Sequence, residues 1–225
     1  MNPVDTGAGT RVVAAVDRGG RSVGRARARS IVAATIVCVA IAVLLGAADA
    51  TRVRIDTSKG AIVIAVHREW APRGAERFLA LVNARYYDDS RFFRVVKGQW
   101  AQFGINGDPK TATGWRDRTI PDDPSAGHSV VRGAVAFAFA VPNGRTTQVY
   151  ISLRDNSYQD AQGFVPFGRV LSGMDVADAL NSEYGESSGG GIRAGKQQPM
   201  FDGGNAWLDR EFPRLDRIIR ARVLP

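Results

Sequence analysis

The chain has 225 residues, of which 44% are hydrophobic, so it is long enough to bury a full core. The net charge is +8, but 26 of the 30 basic residues are arginine, and no dense basic stripe with interleaved aromatic residues is present, so we expect no binding to nucleic acid. The two histidines and the single cysteine, Cys38, form no sequence cluster that would bind a metal, and we expect no cofactor.

The N-terminal fifth of the chain differs from the rest. Residues 1–30 are polar and rich in glycine and arginine, which predicts a basic, disordered leader. Residues 31–48, IVAATIVCVAIAVLLGAA, carry no charge and follow the basic run RSVGRARAR. This pattern is typical of an export signal or a membrane anchor with a cytoplasmic N-terminus. It predicts that the rest of the protein is extracytoplasmic or periplasmic.

The same segment leaves open whether the leader is removed. The triplet Ala48-Asp49-Ala50 favours cleavage before Thr51, whereas the long basic leader and an apolar stretch close to the spanning minimum of about 17 residues favour retention as a transmembrane helix. We assign residues 31–50 to this signal or anchor. Residues 51–225 are assigned to one globular domain, which we expect to be a monomer.

The first elements of this domain are a hairpin and a helix. TRVRIDTSKGAIVIAV, from Thr51, alternates apolar and polar residues on both sides of a Ser58-Lys59-Gly60 turn, which predicts a β-hairpin. Pro72 suits a first helical turn. Apolar residues then recur at spacings of three and four, which predicts an amphipathic helix over residues 72–84.

The remaining elements are mostly strands. Apolar runs between turns rich in glycine, proline and aspartate predict strands near residues 91–96, 100–103, 134–139, 148–152 and 166–171. A second helix is predicted from Met174 to Asn181, and a last strand, ending near Val223, is predicted to return to the first hairpin. Many strands with two helices favour a mainly β, closed antiparallel barrel capped by the helices, because closure removes exposed edges.

Three other functional classes fit the residues poorly. GGIRAGKQ, residues 190–197, nearly matches a phosphate-binding loop, but Gln197 stands where a magnesium-binding hydroxyl is needed and no buried strand precedes it. His67 and His128 have no serine nucleophile in a Gly-x-Ser-x-Gly pattern with which to form a hydrolase site. A ligand-binding β-barrel would need an empty cavity inside the barrel. The apolar residues of this chain suffice to fill the barrel interior, which disfavours this class.

One strand carries an unusual charge. FFRVVKGQWAQFG, residues 92–104, places Arg94 among apolar residues and follows it with Trp100 and Gln102 after a Lys97-Gly98 turn. Alternate residues of an extended chain share a face, so Arg94, Trp100 and Gln102 are predicted to lie on one surface. Arg94 could be structural, paired with an acid, or functional at an apolar site.

The chain resembles cyclophilin-type peptidyl-prolyl cis-trans isomerases from about Val53 to Val223. The matching pieces are FFRVVKGQWAQFG, GAVAFAFAVPNGRTTQVYISL from Gly133 and DAQGFVPFGRVLSGMDV from Asp160, and they occur in the family's order and spacing. The resemblance implies an eight-stranded antiparallel barrel capped by two helices. It also implies an enzyme that accelerates X-Pro bond rotation in proline-containing polypeptides, here during the folding of exported proteins.

The resemblance also assigns roles to residues. Arg94 takes the place of the catalytic arginine, with its apolar neighbours expected to form the proline pocket, and Gln102 takes the place of the glutamine that holds the arginine and the substrate backbone. The residues expected to bind substrate are Phe93, Trp100, Ala138, Phe139, Gln148, Tyr150, Gln159 and Phe164.

The chain departs from the family at several of these positions. Gln99 replaces a pocket phenylalanine, Phe139 an asparagine that contacts substrate, Gln159 a pocket leucine and Phe164 a histidine. Tyr158 stands where a tryptophan accompanies tight cyclosporin binding, so weak inhibition by that drug is expected. The altered pocket keeps a second hypothesis open, a cyclophilin-like chaperone that binds proline segments without catalysis.

Overall fold

The computed structural model describes residues 50–188 and 196–225. Eight strands and four α-helices lie in this part of the chain. The strands are β1 Thr51–Thr57, β2 Gly60–Val66, β3 Arg94–Val96, β4 Trp100–Phe103, β5 Ala134–Phe137, β6 Val149–Ser152, β7 Pro166–Ser172 and β8 Ile218–Val223. The helices are α1 Pro72–Asn83, α2 Pro109–Arg116, α3 Met174–Asp178 and α4 Gln198–Glu211, and a 3-10 helix spans Ser157–Gln162.

All eight strands belong to one antiparallel sheet in the order β3-β4-β6-β5-β7-β2-β1-β8. The predicted N-terminal hairpin is confirmed, since Thr51 pairs with Val66 and Thr57 with Gly60. β8 pairs with β1, which confirms the predicted return of the last strand to the first hairpin. The mainly β, eight-stranded antiparallel architecture is therefore as the sequence predicted.

The prediction of a closed barrel is wrong. β3 and β8 are the two edges of the sheet, and no ladder joins them within the described residues. The edges approach through a single bridge between Arg91 and Arg217, just outside both strands. No ladder between β3 and β8 extends from this bridge, because β3 has only three residues and begins at Arg94, after the bridge. The sheet is therefore curled but open along one seam.

The main core lies between the curled sheet and α1. Alternate residues of β1 and β2, among them Val53, Ile55 and Ile64, are fully buried there. The predicted apolar face of α1 is confirmed, with Phe78 packed against Phe167 of β7 at a ring-centroid distance of 4.8 Å. This packing gives the strands that carry the site a rigid support.

Two helices were not predicted. α2 begins at Pro109 and is capped by Asp108, whose side chain accepts hydrogen bonds from the backbone N–H groups of Lys110 and Thr111. The Asp108-Pro109 start lies in a stretch rich in glycine, proline and aspartate, which predicts a turn, although the same residues also suit a helix N-terminus. α4 is interrupted at Gly204, which has φ 54° and approaches the carbonyl of Gly107 too closely for any side chain. That break conceals its helical periodicity.

The predicted leader and the signal or anchor segment, residues 1–30 and 31–48, lie outside the described residues. Within residues 50–188 and 196–225, no helix has the length and apolar character needed to cross a membrane. The assignment of residues 1–30, 31–50 and 51–225 to separate units therefore stays a prediction. The second predicted helix is present as α3, but it ends at Asp178, three residues early.

Candidate active site

The site is built on a row of paired residues that crosses four strands. Arg94 of β3 pairs with Gln102 of β4, Gln102 pairs with Tyr150 of β6, and Tyr150 pairs with Ala136 of β5. Directly paired residues in an antiparallel sheet project from the same face. Trp100 is two residues before Gln102 and shares that face, as the sequence predicted for Arg94, Trp100 and Gln102.

A cavity of about 200 Å³ lies on this face, and we call it the Arg94 cavity. It is lined by aromatic and amide side chains around a single guanidinium. The lining residues are Arg94, Trp100, Gln102, Ala138, Phe139, Tyr150, Tyr158, Gln159, Gln162 and Phe164. The structure therefore brings together eight of the ten residues proposed from the sequence.

The guanidinium of Arg94 is held on three sides. Its Nη1 donates to Oε1 of Gln102 at 3.0 Å, and its Cζ lies 4.7 Å from the ring centroid of Trp100. Its Nε and Nη2 donate to the two carboxylate oxygens of Glu186, at 2.8 and 2.7 Å. The side chain is 19% exposed, so the charge stands at the cavity wall and still reaches solvent.

A chain of buried amides supports Gln102 from behind. Nε2 of Gln102 donates to Oε1 of Gln148 at 2.9 Å. Gln148 and Gln197 then exchange two hydrogen bonds, at 2.8 and 3.1 Å. All three side chains are buried, so each amide is fixed by its neighbours rather than by water. The orientation of Gln102, and through it that of Arg94, therefore depends on residues as far away as Gln197, which immediately precedes α4.

The opposite wall of the Arg94 cavity is aromatic with a polar floor. The rings of Phe139 and Phe164 lie 4.4 Å apart, and Tyr150 meets Phe164 edge-on at 5.9 Å. The hydroxyl of Tyr150 donates to Oε1 of Gln159 at 2.6 Å. Burial raises the pKa of Tyr150 well above its ordinary value of 10.0, so the hydroxyl is neutral and donates this bond. The wall can receive an apolar ring of proline size.

Two of the proposed substrate-binding residues lie elsewhere. Phe93 is fully buried in a separate cluster with Ile105 and Met200, because it precedes β3 and points away from the Arg94 cavity. It is a core residue and does not line the cavity as expected. Gln148 stands behind Gln102 and does not line the cavity either, so its contribution is to the amide chain.

Of the apolar residues near Arg94 in the sequence, Trp100 lines the Arg94 cavity, whereas Phe92 does not. Phe92 packs in the main core against Phe103, with ring centroids 5.2 Å apart. Gln99 lies in the turn before β4 and does not line the Arg94 cavity. Apart from Trp100, the aromatic walls come from the segments that hold Phe139, Tyr150 and Phe164, each more than 40 residues from Arg94 in the sequence.

Three contributors were missed. Gln162 lines the Arg94 cavity, Gln197 ends the amide chain and Glu186 pairs with Arg94. The sequence shows Gln197 only as the residue that breaks a phosphate-binding pattern. A carboxylate partner for Arg94 was considered, but Glu186 is 92 residues away and no sequence pattern links the two.

Comparison with known proteins identifies the family. Residues 52–200 match the model of the cyclophilin type peptidyl-prolyl cis-trans isomerase family. The chain is 31% identical over 149 residues to the peptidyl-prolyl cis-trans isomerase cyp18 of Streptomyces antibioticus, covering 61% of this chain and 87% of that protein. It is 29% identical over 149 residues to peptidyl-prolyl cis-trans isomerase A of Dickeya dadantii, covering 64% and 77% of the two chains.

The fold agrees with these matches. A crystal structure of a cyclophilin type peptidyl-prolyl cis-trans isomerase from Cryptosporidium parvum superposes with a TM-score of 0.57 at 19% identity, covering 78% of this chain and 98% of that one. At that identity the superposition shows the fold alone, whereas the family model spans more than half of this sequence. The chain therefore belongs to the family of cyclophilin-type peptidyl-prolyl cis-trans isomerases.

Proposed function

We propose that this protein accelerates cis-trans rotation about X-Pro bonds in polypeptides, with Arg94 as the catalytic residue. The observation that carries the proposal is the guanidinium held by Gln102 beside an aromatic cavity of about 200 Å³. The family name points to the same reaction. A related structure from Cryptosporidium parvum was determined in the presence of the dipeptide Ala-Pro, which has the chemistry expected of a minimal ligand.

The chemistry requires a hydrogen-bond donor and no proton transfer. Amide resonance imposes a barrier of about 18–20 kcal/mol on rotation of the peptide bond. In the twisted state the lone pair of the prolyl nitrogen is no longer delocalised and can accept a hydrogen bond. A guanidinium stays charged at every accessible pH, so Arg94 can donate to this nitrogen without changing its protonation state.

The rest of the Arg94 cavity serves binding. Phe139 and Phe164 offer an apolar surface for the pyrrolidine ring, since burying such a ring is favourable at about 25 cal/mol per Å². Gln102 accepts one hydrogen bond from Arg94 and keeps the guanidinium at the cavity wall. These walls also exclude water that would compete for the N–H groups of Arg94.

The activity is tested by adding the purified full chain to a proline-containing test peptide and measuring exchange between the cis and trans forms by NMR. We expect acceleration at catalytic protein concentrations. The second candidate, binding without catalysis, is favoured by the polar floor that Gln159 and Tyr150 place in the Arg94 cavity. Shifts of the peptide resonances on binding, with no faster exchange on several peptides, would decide for that candidate.

We also propose that the protein is exported and acts on exported polypeptides. The support is the uncharged stretch 31–48 behind a basic leader, as described above. N-terminal sequencing of the protein from fractionated cells of its source tests this. A start at Thr51 in the envelope or periplasm indicates a cleaved signal, an intact N-terminus in the membrane indicates an anchor, and recovery from the cytoplasm alone contradicts export.

A further inference from the structure

The carboxylate of Glu186 occupies one whole edge of the Arg94 guanidinium. Nε and Nη2 of Arg94 each donate to a different carboxylate oxygen, at 2.8 and 2.7 Å. Such a two-bond pairing between the planar guanidinium and a carboxylate is directional, unlike the contact of a point charge. It therefore fixes the plane of the guanidinium as well as its position.

The segment that carries Glu186 is docked against the strand that carries Arg94. Ser188 is fully buried, and its Oγ donates to the backbone carbonyl of Phe93 at 2.5 Å. On the other side, the ring of Tyr184 packs edge-on against Phe212 at 5.2 Å. Glu186 lies between these two attachments, so the backbone of the segment holds the Glu186 side chain within hydrogen-bonding distance of Arg94.

The hydrogen bonds of Arg94 leave room for a substrate. A guanidinium has five N–H bonds. Two of them point to Glu186 and one to Gln102. Among the described residues, the other two N–H bonds, one on Nη1 and one on Nη2, have no acceptor, so a substrate can accept from Arg94 while the pair with Glu186 is intact. Trp100 covers one face of the guanidinium, which leaves its opposite face and these two N–H bonds for the ligand.

We propose that Glu186 is a positioning residue for catalysis, holding the Arg94 guanidinium in the plane that directs its remaining N–H bonds into the Arg94 cavity. This inference rests on the proposed isomerase function. Glu186 affects catalysis through Arg94, so its removal lowers the turnover of bound substrate and leaves substrate binding to the aromatic walls unchanged. Because the Glu186 side chain is 53% exposed, the effect is moderate.

The test compares three variants of the full chain with the parent. Glu186→Gln keeps the size of the side chain but removes its charge and one acceptor. Ser188→Ala removes the attachment to Phe93 and so loosens the segment, while the Glu186 side chain itself is unaltered. Glu183→Gln is the matched control, since Glu183 lies on the same segment, pairs with Arg214 and has a similar exposure of 47%.

Two readouts are taken from each variant. NMR exchange measurements give kcat and KM separately for a proline-containing peptide. The Nε–H resonance of Arg94, assigned by its loss in Arg94→Lys, reports how firmly the guanidinium is held. We expect Glu186→Gln to lower kcat roughly fivefold at unchanged KM and to speed solvent exchange of the Nε–H. Ser188→Ala should do the same to a smaller extent, and Glu183→Gln should match the parent.

A higher kcat in Glu186→Gln would overturn the proposal, because it would make Glu186 a competitor of the substrate for Arg94. An unchanged kcat, or an Nε–H signal that does not respond to Glu186→Gln, would overturn it as well. A parent chain without isomerase activity contradicts the proposed function itself. In that case the Nε–H signal, read on the same samples, still decides whether Glu186 holds the guanidinium.

Discussion

Arg94 and Gln102 stand directly opposite each other on neighbouring antiparallel strands, and Nη1 of the arginine donates to Oε1 of the glutamine at 3.0 Å. The register of β3 and β4 therefore sets the two residues side by side on the same face of the sheet, whichever rotamers their side chains adopt. Because Gln102 is almost fully buried and bonded to Gln148, it has no alternative partner in water. The position of the guanidinium thus depends on the sheet and on the amide chain behind it.

Replacing Gln102 with leucine is expected to lower kcat/KM by about ten- to a hundredfold. Arg94 loses one of the groups that hold it, and a hydrogen bond to a charged group is worth about 1.5–3 kcal/mol. Gln99→Leu is the control, since Gln99 lies on the same hairpin but does not line the Arg94 cavity. The peptide exchange assay measures both variants. Equal losses in the two variants would show that the effect is not specific to the Arg94 contact.

Replacing Gln197 with leucine is expected to lower the free energy of unfolding by about 1–3 kcal/mol, because Nε2 of buried Gln148 loses its acceptor. The neighbouring Gln198 is exposed, so Gln198→Leu should change stability by less than about 0.5 kcal/mol. Urea unfolding of the three chains makes the comparison. If Gln197→Leu is as stable as the parent, the reciprocal amide pair does not support the site.

Burial of Tyr150 predicts a loss of stability in alkali. Its native pKa is raised above 10.0, so the unfolded chain releases this proton at a lower pH than the native chain does. The stabilisation is complete below pH 10 and is lost as the pH rises towards the native pKa. Between pH 9 and pH 11 the parent should lose about 1.4 kcal/mol more unfolding free energy than Tyr150→Phe. Urea unfolding at a series of pH values measures both proteins. If the unfolding free energies of the parent and of Tyr150→Phe fall equally between pH 9 and pH 11, this prediction is wrong.

Local sequence patterns predicted much of the fold and part of the candidate site. The hairpin β1-β2, the apolar face of α1 and the shared face of Arg94 and Gln102 all follow from periodicity within short stretches, where side-chain direction is set by the backbone. Phe139 and Phe164 were predicted as site residues only from the family resemblance, because no local pattern around them indicates that they lie near Arg94.

Other features depend on tertiary structure. The pairing of Glu186 with Arg94 is created by a docked segment, and Phe93 is drawn into a cluster with α4, which the break at Gly204 had concealed. The open seam of the sheet was missed because strand length is the least certain part of a pattern, and β3 ends the ladder after three residues.

The most direct test of the account is the isomerisation rate of a proline-containing peptide with the parent, Arg94→Ala and Arg210→Ala, each confirmed as folded by circular dichroism. Arg210 is a 67% exposed arginine in a surface ion pair and serves as the control. We predict that Arg94→Ala loses about a hundredfold in kcat/KM, as when a preorganised transition-state donor is removed, while Arg210→Ala keeps the parent rate. Full activity in folded Arg94→Ala would contradict the central claim that this guanidinium stabilises the twisted prolyl bond.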